Sequence, residues 1–305
     1  RDEDVTVVFA LGSHRHHTEE EKRKLAGDAV FDRVRCEDSD PDDCIHLGTT
    51  SAGTPVDITR RVAEADFRIC TGNIDFHYFA GYSGGAKAIM PGVSTPAAIQ
   101  ANHRMMVQES ACAGKLDGNP IRADIEEAGR ICGADYIVNV VLDEHKHIVH
   151  AVAGDAIEAH RAGCAYLDKM YRKPIPARAD IVLVSQGGAP KDANLYQVQK
   201  ALDNAKHAVK PGGTIILIGA CSEGLGSATF ERWLKEAPTA HSMIERVHEH
   251  FELGGHKAAA IAMVLENARI DLVSELPDEF VRSIFLNPQP DAQTALNAAL
   301  ARYGK

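Results

Sequence analysis

No C-x-x-C pair occurs anywhere in the 305 residues, and the seven cysteines, at 36, 44, 70, 112, 132, 164 and 221, are odd in number and scattered. That pattern argues against a disulfide framework and against a cysteine-ligated zinc site. It reads instead as buried thiols in a reducing compartment, and a cytoplasmic location is the expectation. No apolar run is long enough to span a membrane. There is no basic stripe either: the formal net charge is −10 and Lys and Arg are dispersed, so nucleic acid is not an expected partner. No H-E-x-x-H occurs, which removes the simplest zinc hydrolase. No internal repeat or low-complexity tract is visible. The sequence opens on Arg1-Asp2-Glu3-Asp4, not on methionine, and leads straight into "VTVVFALGS" with no signal peptide visible in it.

What is present is ordinary globular material, 45% hydrophobic and 25% charged. The run 5–11 reads as a buried strand. Thr18 and Glu21 stand in capping-box spacing at the start of a helix that Gly27 stops. Residues 37–43, "EDSDPDD", read as a surface turn, 57–65 as a helix and 67–72 as the next strand. Ser94 or Thr95 can cap a helix running through His103. A helix over 119–133 precedes a strand pair, 135–143 and 147–154, and a further helix over about 155–169. The proline-bearing stretch 172–180, "RKPIPARAD", reads as a linker. Beyond it, strands 181–186, 213–220 and 270–276 alternate with helices 194–208, about 229–250 and 256–267, with terminal helices after them. Apolar runs alternating with helical periods predict parallel sheets covered by helices. The expected fold is α/β, with domains over 1–171 and 172–305, mainly parallel sheets, and an active site in the cleft between the domains.

Four glycine-bearing loops follow predicted strands: 11–18, 72–87, 185–197 and 219–227. Ligands in open α/β sheets bind at the carboxyl ends of strands, so these loops are expected to share one site. "GYSGGAK" is not a Walker A loop, because Lys87 follows Ala86 and precedes Ala88. "EGLGSATF" lacks the full dinucleotide fingerprint. Lys87 has three readings on its chemistry: a surface ion pair, a phosphate-binding cation, or a nucleophile that bonds a cofactor once desolvated. Among the histidines, His14 and His77 follow strand ends and His103 lies on the helix just past the same loop. His14 is followed by Arg15, His16 and His17, a cationic cluster suited to a carboxylate.

The stretch "FHYFAGYSGGAKAIMPGVSTPAAIQANH" closely resembles the signature region of the nickel-pincer lactate racemase family. The resemblance continues through "GNPIRADIEEA", "SQGGAPKDANLYQVQKALDNA" and "LVSELPDEFVRSI", and "ALGSHRHHTEEEKRKLAG" looks like the family's earlier His-Arg loop. The match covers nearly the whole chain.

The resemblance implies a racemase or epimerase of a 2-hydroxy acid, lactate or a relative, working by reversible hydride transfer. It implies a nickel-pincer nucleotide joined covalently to Lys87, with Gly84 and Gly85 letting the backbone approach it. His103 is then the protein ligand to nickel, as imidazole beside soft sulfur donors suits that ion. His14 and His77 match the two acid–base histidines, and Gln186 and Lys191 lie in the loop that holds the substrate carboxylate. The implied partners are a small 2-hydroxy acid and the cofactor's biosynthetic enzymes, with no membrane, and a homo-oligomer is compatible. Two departures accompany the match. The family's carboxylate-binding arginine belongs to a segment that would precede Arg1, and "HRHH" is richer in histidine than the family pattern, so that His16 and His17 read either as marks of another substrate or as exposed helix-entry residues. The alternative function is a non-catalytic relative that binds a nucleotide or hydroxy acid as a sensor.

Overall fold

The apolar run after the acidic N-terminus forms β1 (Thr6–Phe9), which pairs in parallel with β2 (Arg35–Asp38). Between them lies the helix Glu19–Ala26. Its capping box forms as the spacing requires: Thr18 Oγ1 accepts the Glu21 N–H while Glu21 accepts the Thr18 N–H, and Gly27 ends the helix. The computed structural model describes residues 1–304 and divides into two units, Arg1–Arg172 and Lys173 onward.

The first unit departs from expectation in its third and fourth strands. β3 (Cys44–Thr49) and β4 (Pro55–Thr59) make an antiparallel hairpin. The helix expected over 57–65 is only Arg60–Ala63. Period-two burial wins over helical pattern there, because Val56 and Ile58 are both fully buried while Asp57 between them is not. The expected surface turn over 37–43 begins later, since Glu37 and Asp38 belong to β2. β5 (Ile69–Asn73) then leads to a hairpin of two-residue strands, β6 (Phe76–His77) and β7 (Gly81–Tyr82). β5 pairs in parallel with β8 (Tyr136–Leu142), and β9 (Ile148–Gly154) returns antiparallel beside β8.

The helices Pro96–His103 and Pro120–Cys132 are capped by Thr95 and Asn119, each followed by proline at the first helical position, where its missing N–H has no helical partner to lose. Helix Glu158–Tyr171 completes the unit. Its Cys164 and Leu167 pack on Ile74, Tyr82 and Val141. That cluster seats the loop after β5 on the body of the unit.

The second unit is a parallel sheet in the order β10 (Ala179–Ser185), β11 (Val209–Ile218), β12 (Ala268–Val273), β13 (Asn287–Gln289). β13 has no counterpart among the expected strands. It is three residues long, contains Pro288 and pairs only with β12, the edge setting in which proline is tolerated. The helix expected over 194–208 is broken at Gln199 into Leu195–Val198 and Lys200–Ala208. Across both units parallel pairings outnumber antiparallel ones, so the fold is α/β with mostly parallel sheets in two domains.

One contact links packing to the loop of interest. Gly129, inside helix Pro120–Cys132, faces Ala86, and a Cβ at Gly129 would lie 2.7 Å from the Ala86 Cβ. On an exposed helix, Gly→Ala stabilises by up to about 1 kcal/mol. Here the clash reverses the sign, and Gly129→Ala is expected to destabilise by about 1–3 kcal/mol, read as a lower Tm and urea midpoint. A raised Tm would show that the Ala86 segment yields.

Candidate active site

The loop from Asn73 to Ala88 is shaped by two glycines that nothing else can replace. Gly84 and Gly85 have φ of 76° and 60°, a region that costs an L side chain strain. Space forbids a side chain as well. A Cβ on Gly84 would sit 2.8 Å from Asn139 Oδ1, and one on Gly85 would sit 2.8 Å from His160 Cγ. Asn139, buried on β8, accepts the Gly85 N–H at 2.7 Å. His160, buried on helix Glu158–Tyr171, donates from Nε2 to the Ser83 carbonyl at 2.8 Å. Two side chains from distant elements therefore clamp the turn that ends in Lys87.

Lys87 occupies the short 3₁₀ turn Gly85–Ala88. Its amine is densely surrounded, although part of the residue still reaches solvent. Burial, and then the nearby Arg122 guanidinium, lower its pKa from 10.5 to about 8. Arg122 is itself 1% exposed. Its Nε donates to the Ala80 carbonyl at 3.2 Å and its Nη2 to the Tyr82 carbonyl, while its buried Nη1 has no hydrogen-bond partner among the described residues. Burial pushes the guanidinium down to about 10.

His77 and His103 meet on one ring. Phe79 packs edge-to-face against His77, with centroids 4.5 Å apart, and against His103 at 4.9 Å. The Ala80 N–H donates to His77 Nδ1 at 3.2 Å, so neutral His77 carries its proton on Nε2. His103 ends its helix, and its Nδ1 lies 2.9 Å from Asn102 Oδ1. Among the described residues, no group of three or more His, Cys, Asp or Glu side chains could hold a metal ion by itself. Any metal held at His103 needs donors from elsewhere.

His14 is exposed, on a turn closed by its own N–H to the Leu11 carbonyl at 3.0 Å. The Gly12 N–H donates to the Gly92 carbonyl at 2.8 Å, tying the His14 loop to the segment just after Lys87. His16 and His17 both turn Nδ1 toward the Asp38 carboxylate, at 3.3 and 2.7 Å. Those ring nitrogens pin the loop to β2.

In the second unit, Gln186 and the exposed Lys191 follow β10 and line a depression of about 450 Å³ with Gln197, Lys200 and Glu223. Asp192 binds this loop to the one after β11. Its Oδ2 accepts the Ala220 N–H at 3.0 Å and its carbonyl accepts the Cys221 N–H at 2.9 Å. Asn139, His160 and Arg122 are missing from the candidates drawn from sequence. The signal open to a reader was weak: an asparagine inside an apolar strand and charged or imidazole groups on the inner faces of two helices.

Two outcomes follow. The Lys87 amine should titrate near 8 when amine labelling is followed by mass spectrometry across pH. Arg122→Met should raise that midpoint but leave it below 10.5, since burial is the larger cause; a wild-type midpoint near 10.5 would contradict the geometry. His160 has its pKa lowered from 6.5 to about 4, by burial first and Arg122 second. The unfolded chain therefore takes up the proton first as pH falls. The stability contributed by keeping His160 neutral is complete above 6.5 and is lost toward pH 4, by roughly 3 kcal/mol. Urea midpoints should fall across that window, and His160→Gln should flatten the fall.

The sequence and the fold also agree with known proteins. Residues 1–114 match the family described as the lactate racemase N-terminal domain, and residues 175–305 the lactate racemase C-terminal domain. The chain is 32% identical over 308 residues to the lactate racemase of Thermoanaerobacterium thermosaccharolyticum, covering 97% of this chain and 71% of that protein. It is 30% identical over 312 residues to the lactate racemase of Lactiplantibacillus plantarum, covering 99% and 73%. The structure of the T. thermosaccharolyticum lactate racemase apoprotein superposes with a TM-score of 0.88 at 31% identity, over 98% of this chain and 74% of that one. A Thermotoga maritima protein shares the fold, with a TM-score of 0.65 at 20% identity over 93% and 79%. On sequence and on structure together, the chain belongs to the lactate racemase family.

Proposed function

We propose that this chain racemises or epimerises a 2-hydroxy acid, lactate or a close relative, with a nickel-pincer nucleotide bound covalently through Lys87. The observation that carries the reading is the Lys87 amine. It sits beyond a clamped glycine pair with its pKa at about 8, so an appreciable fraction is the neutral nucleophile near physiological pH.

The residues fit such a group. The Gly84–Gly85 turn, packed against Asn139 and His160, fixes the backbone from which the Lys87 amine would reach the group. Arg122, a buried cation with an orphaned Nη1, favours an anionic group delivered beside Lys87. His103 would hold the metal through its imidazole. When bound, the cofactor supplies an acceptor and donor of hydride at C2, which avoids forming a carbanion there.

The protein's own part is proton management and positioning. One histidine takes the proton of the substrate hydroxyl and becomes imidazolium, and on the opposite face the other, already protonated, gives its own proton to the oxygen, so that the two enantiomers exchange. The roles of His14 and His77 interchange with direction. Gln186 and Lys191 would hold the carboxylate, Lys191 as a point charge and Gln186 by its amide N–H.

Coexpression with the cofactor's biosynthetic enzymes should add a nucleotide-sized mass to the chain, absent from Lys87→Ala, and the loaded protein should racemise at least one acid in a chiral panel. His14→Ala and His77→Ala should each lower kcat by about 10²–10⁴-fold while retaining the adduct. An unmodified Lys87 under those conditions would sink the reading, and binding of a hydroxy acid without turnover would point to a sensor.

A further inference from the structure

Four buried polar residues of the first unit, Thr50, Thr54, Asp124 and Asn102, form one connected set that ends on His103. Asp124, on helix Pro120–Cys132, is 2% exposed, and Asn102, the residue before His103, is fully buried. Thr50 Oγ1 donates to Asp124 Oδ1, and Thr54 Oγ1 donates to Oδ2 at 2.8 Å. The Thr50 oxygen also accepts the Thr54 N–H at 3.1 Å, and because a carboxylate only accepts, its hydroxyl proton points to Asp124.

Asn102 supplies the next link. Its Nδ2 lies 2.7 Å from Asp124 Oδ2. A carboxylate only accepts, so the amide NH₂ must face it. The amide oxygen then faces away, toward His103 Nδ1 at 2.9 Å. That oxygen also only accepts, which requires a proton on His103 Nδ1. The ring lone pair is left on Nε2. Adjacent helical residues do not ordinarily face each other, so this contact is not a by-product of the helix.

We propose that Asp124 and Asn102 are positioning residues: they hold His103 as the Nδ1–H tautomer and so make Nε2 its metal-binding atom. This rests on the reading of His103 as the nickel ligand. The direction of information is one-way. The acceptor-only carboxylate orients the amide, the amide orients the imidazole, and the imidazole presents its lone pair. A ligand histidine whose second nitrogen donates to a fixed acceptor gains both orientation and basicity.

The test begins on ¹⁵N-labelled full-length protein without cofactor, using long-range ¹H–¹⁵N correlations of the neutral ring. His103→Ala identifies the His103 signals. Wild type should show Nδ1–H as the dominant form. Asn102→Ala and Asp124→Asn should each shift the ratio toward Nε2–H by about tenfold, the scale of one lost hydrogen bond. Thr54→Val, which removes a donor but leaves the carboxylate, should lower Tm without moving the ratio. That separates the relay from packing damage, and the isosteric Asp124→Asn carries the test where Asn102→Ala does not fold. In loaded protein, Asn102→Ala and Asp124→Asn should also hold nickel about 10–100-fold less tightly against a chelator. A Nδ1–H population unchanged in folded Asp124→Asn overturns the proposal. Full nickel retention by His103→Ala would instead overturn the ligand reading, and the tautomer ratios would still decide the relay.

Discussion

Everything around Lys87 depends on how closely β8 and helix Glu158–Tyr171 approach the Gly84–Gly85 turn. Asn139 takes up the Gly85 N–H, and the His160 ring lies where a side chain on Gly85 would be. Neither group can move away without leaving a buried polar atom unsatisfied. The turn is therefore over-determined, and the amine that follows it is held in a setting where its charge is poorly solvated. Arg122 adds to the effect, since its guanidinium is fixed by the Ala80 and Tyr82 carbonyls of the same hairpin. A buried cation of this kind has a cost in stability unless something anionic joins it. The site keeps two such cations together and leaves one guanidinium nitrogen unsatisfied. That imbalance is the property a structure built only for stability would lack.

Local rules carry far in reading this chain. The capping box at Thr18 and Glu21, the Thr95 cap and the strand pair around Asp143 follow from short-range chemistry, and they form as read. The errors occur where distance along the chain decides. Residues 57–65 have a plausible helical pattern, yet Val56 and Ile58 are pulled into a strand by the core they fill. β13 is too short and too proline-bearing to announce itself, and it exists because the β12 edge offers it partners. For the candidate site, Lys87, His77 and His103 stand out because they cluster within one stretch. Asn139, Arg122 and His160 lie 52, 35 and 73 residues beyond Lys87, and no periodicity links them to it. Only the folded chain shows that all three hold the segment from Ala80 to Gly85.

Three imidazoles in this unit show how a single side chain is given different duties by its neighbours. His160 points an N–H at the Ser83 carbonyl and is kept neutral by burial and by Arg122, so it acts as a wall. His77 receives the Ala80 N–H on Nδ1, which places its own proton on Nε2. His103 faces an amide oxygen with Nδ1, which places its proton there and its lone pair on Nε2. The second and third are opposite tautomers, and they share the Phe79 ring between them. At Nε2 His77 presents an N–H and His103 a lone pair. A backbone N–H faces His77 and a side-chain amide faces His103. A backbone N–H can only donate, so it can specify only the tautomer that accepts at Nδ1. Specifying the other tautomer takes a fixed acceptor. A buried amide locked by a carboxylate provides one without placing a second negative charge against the ring.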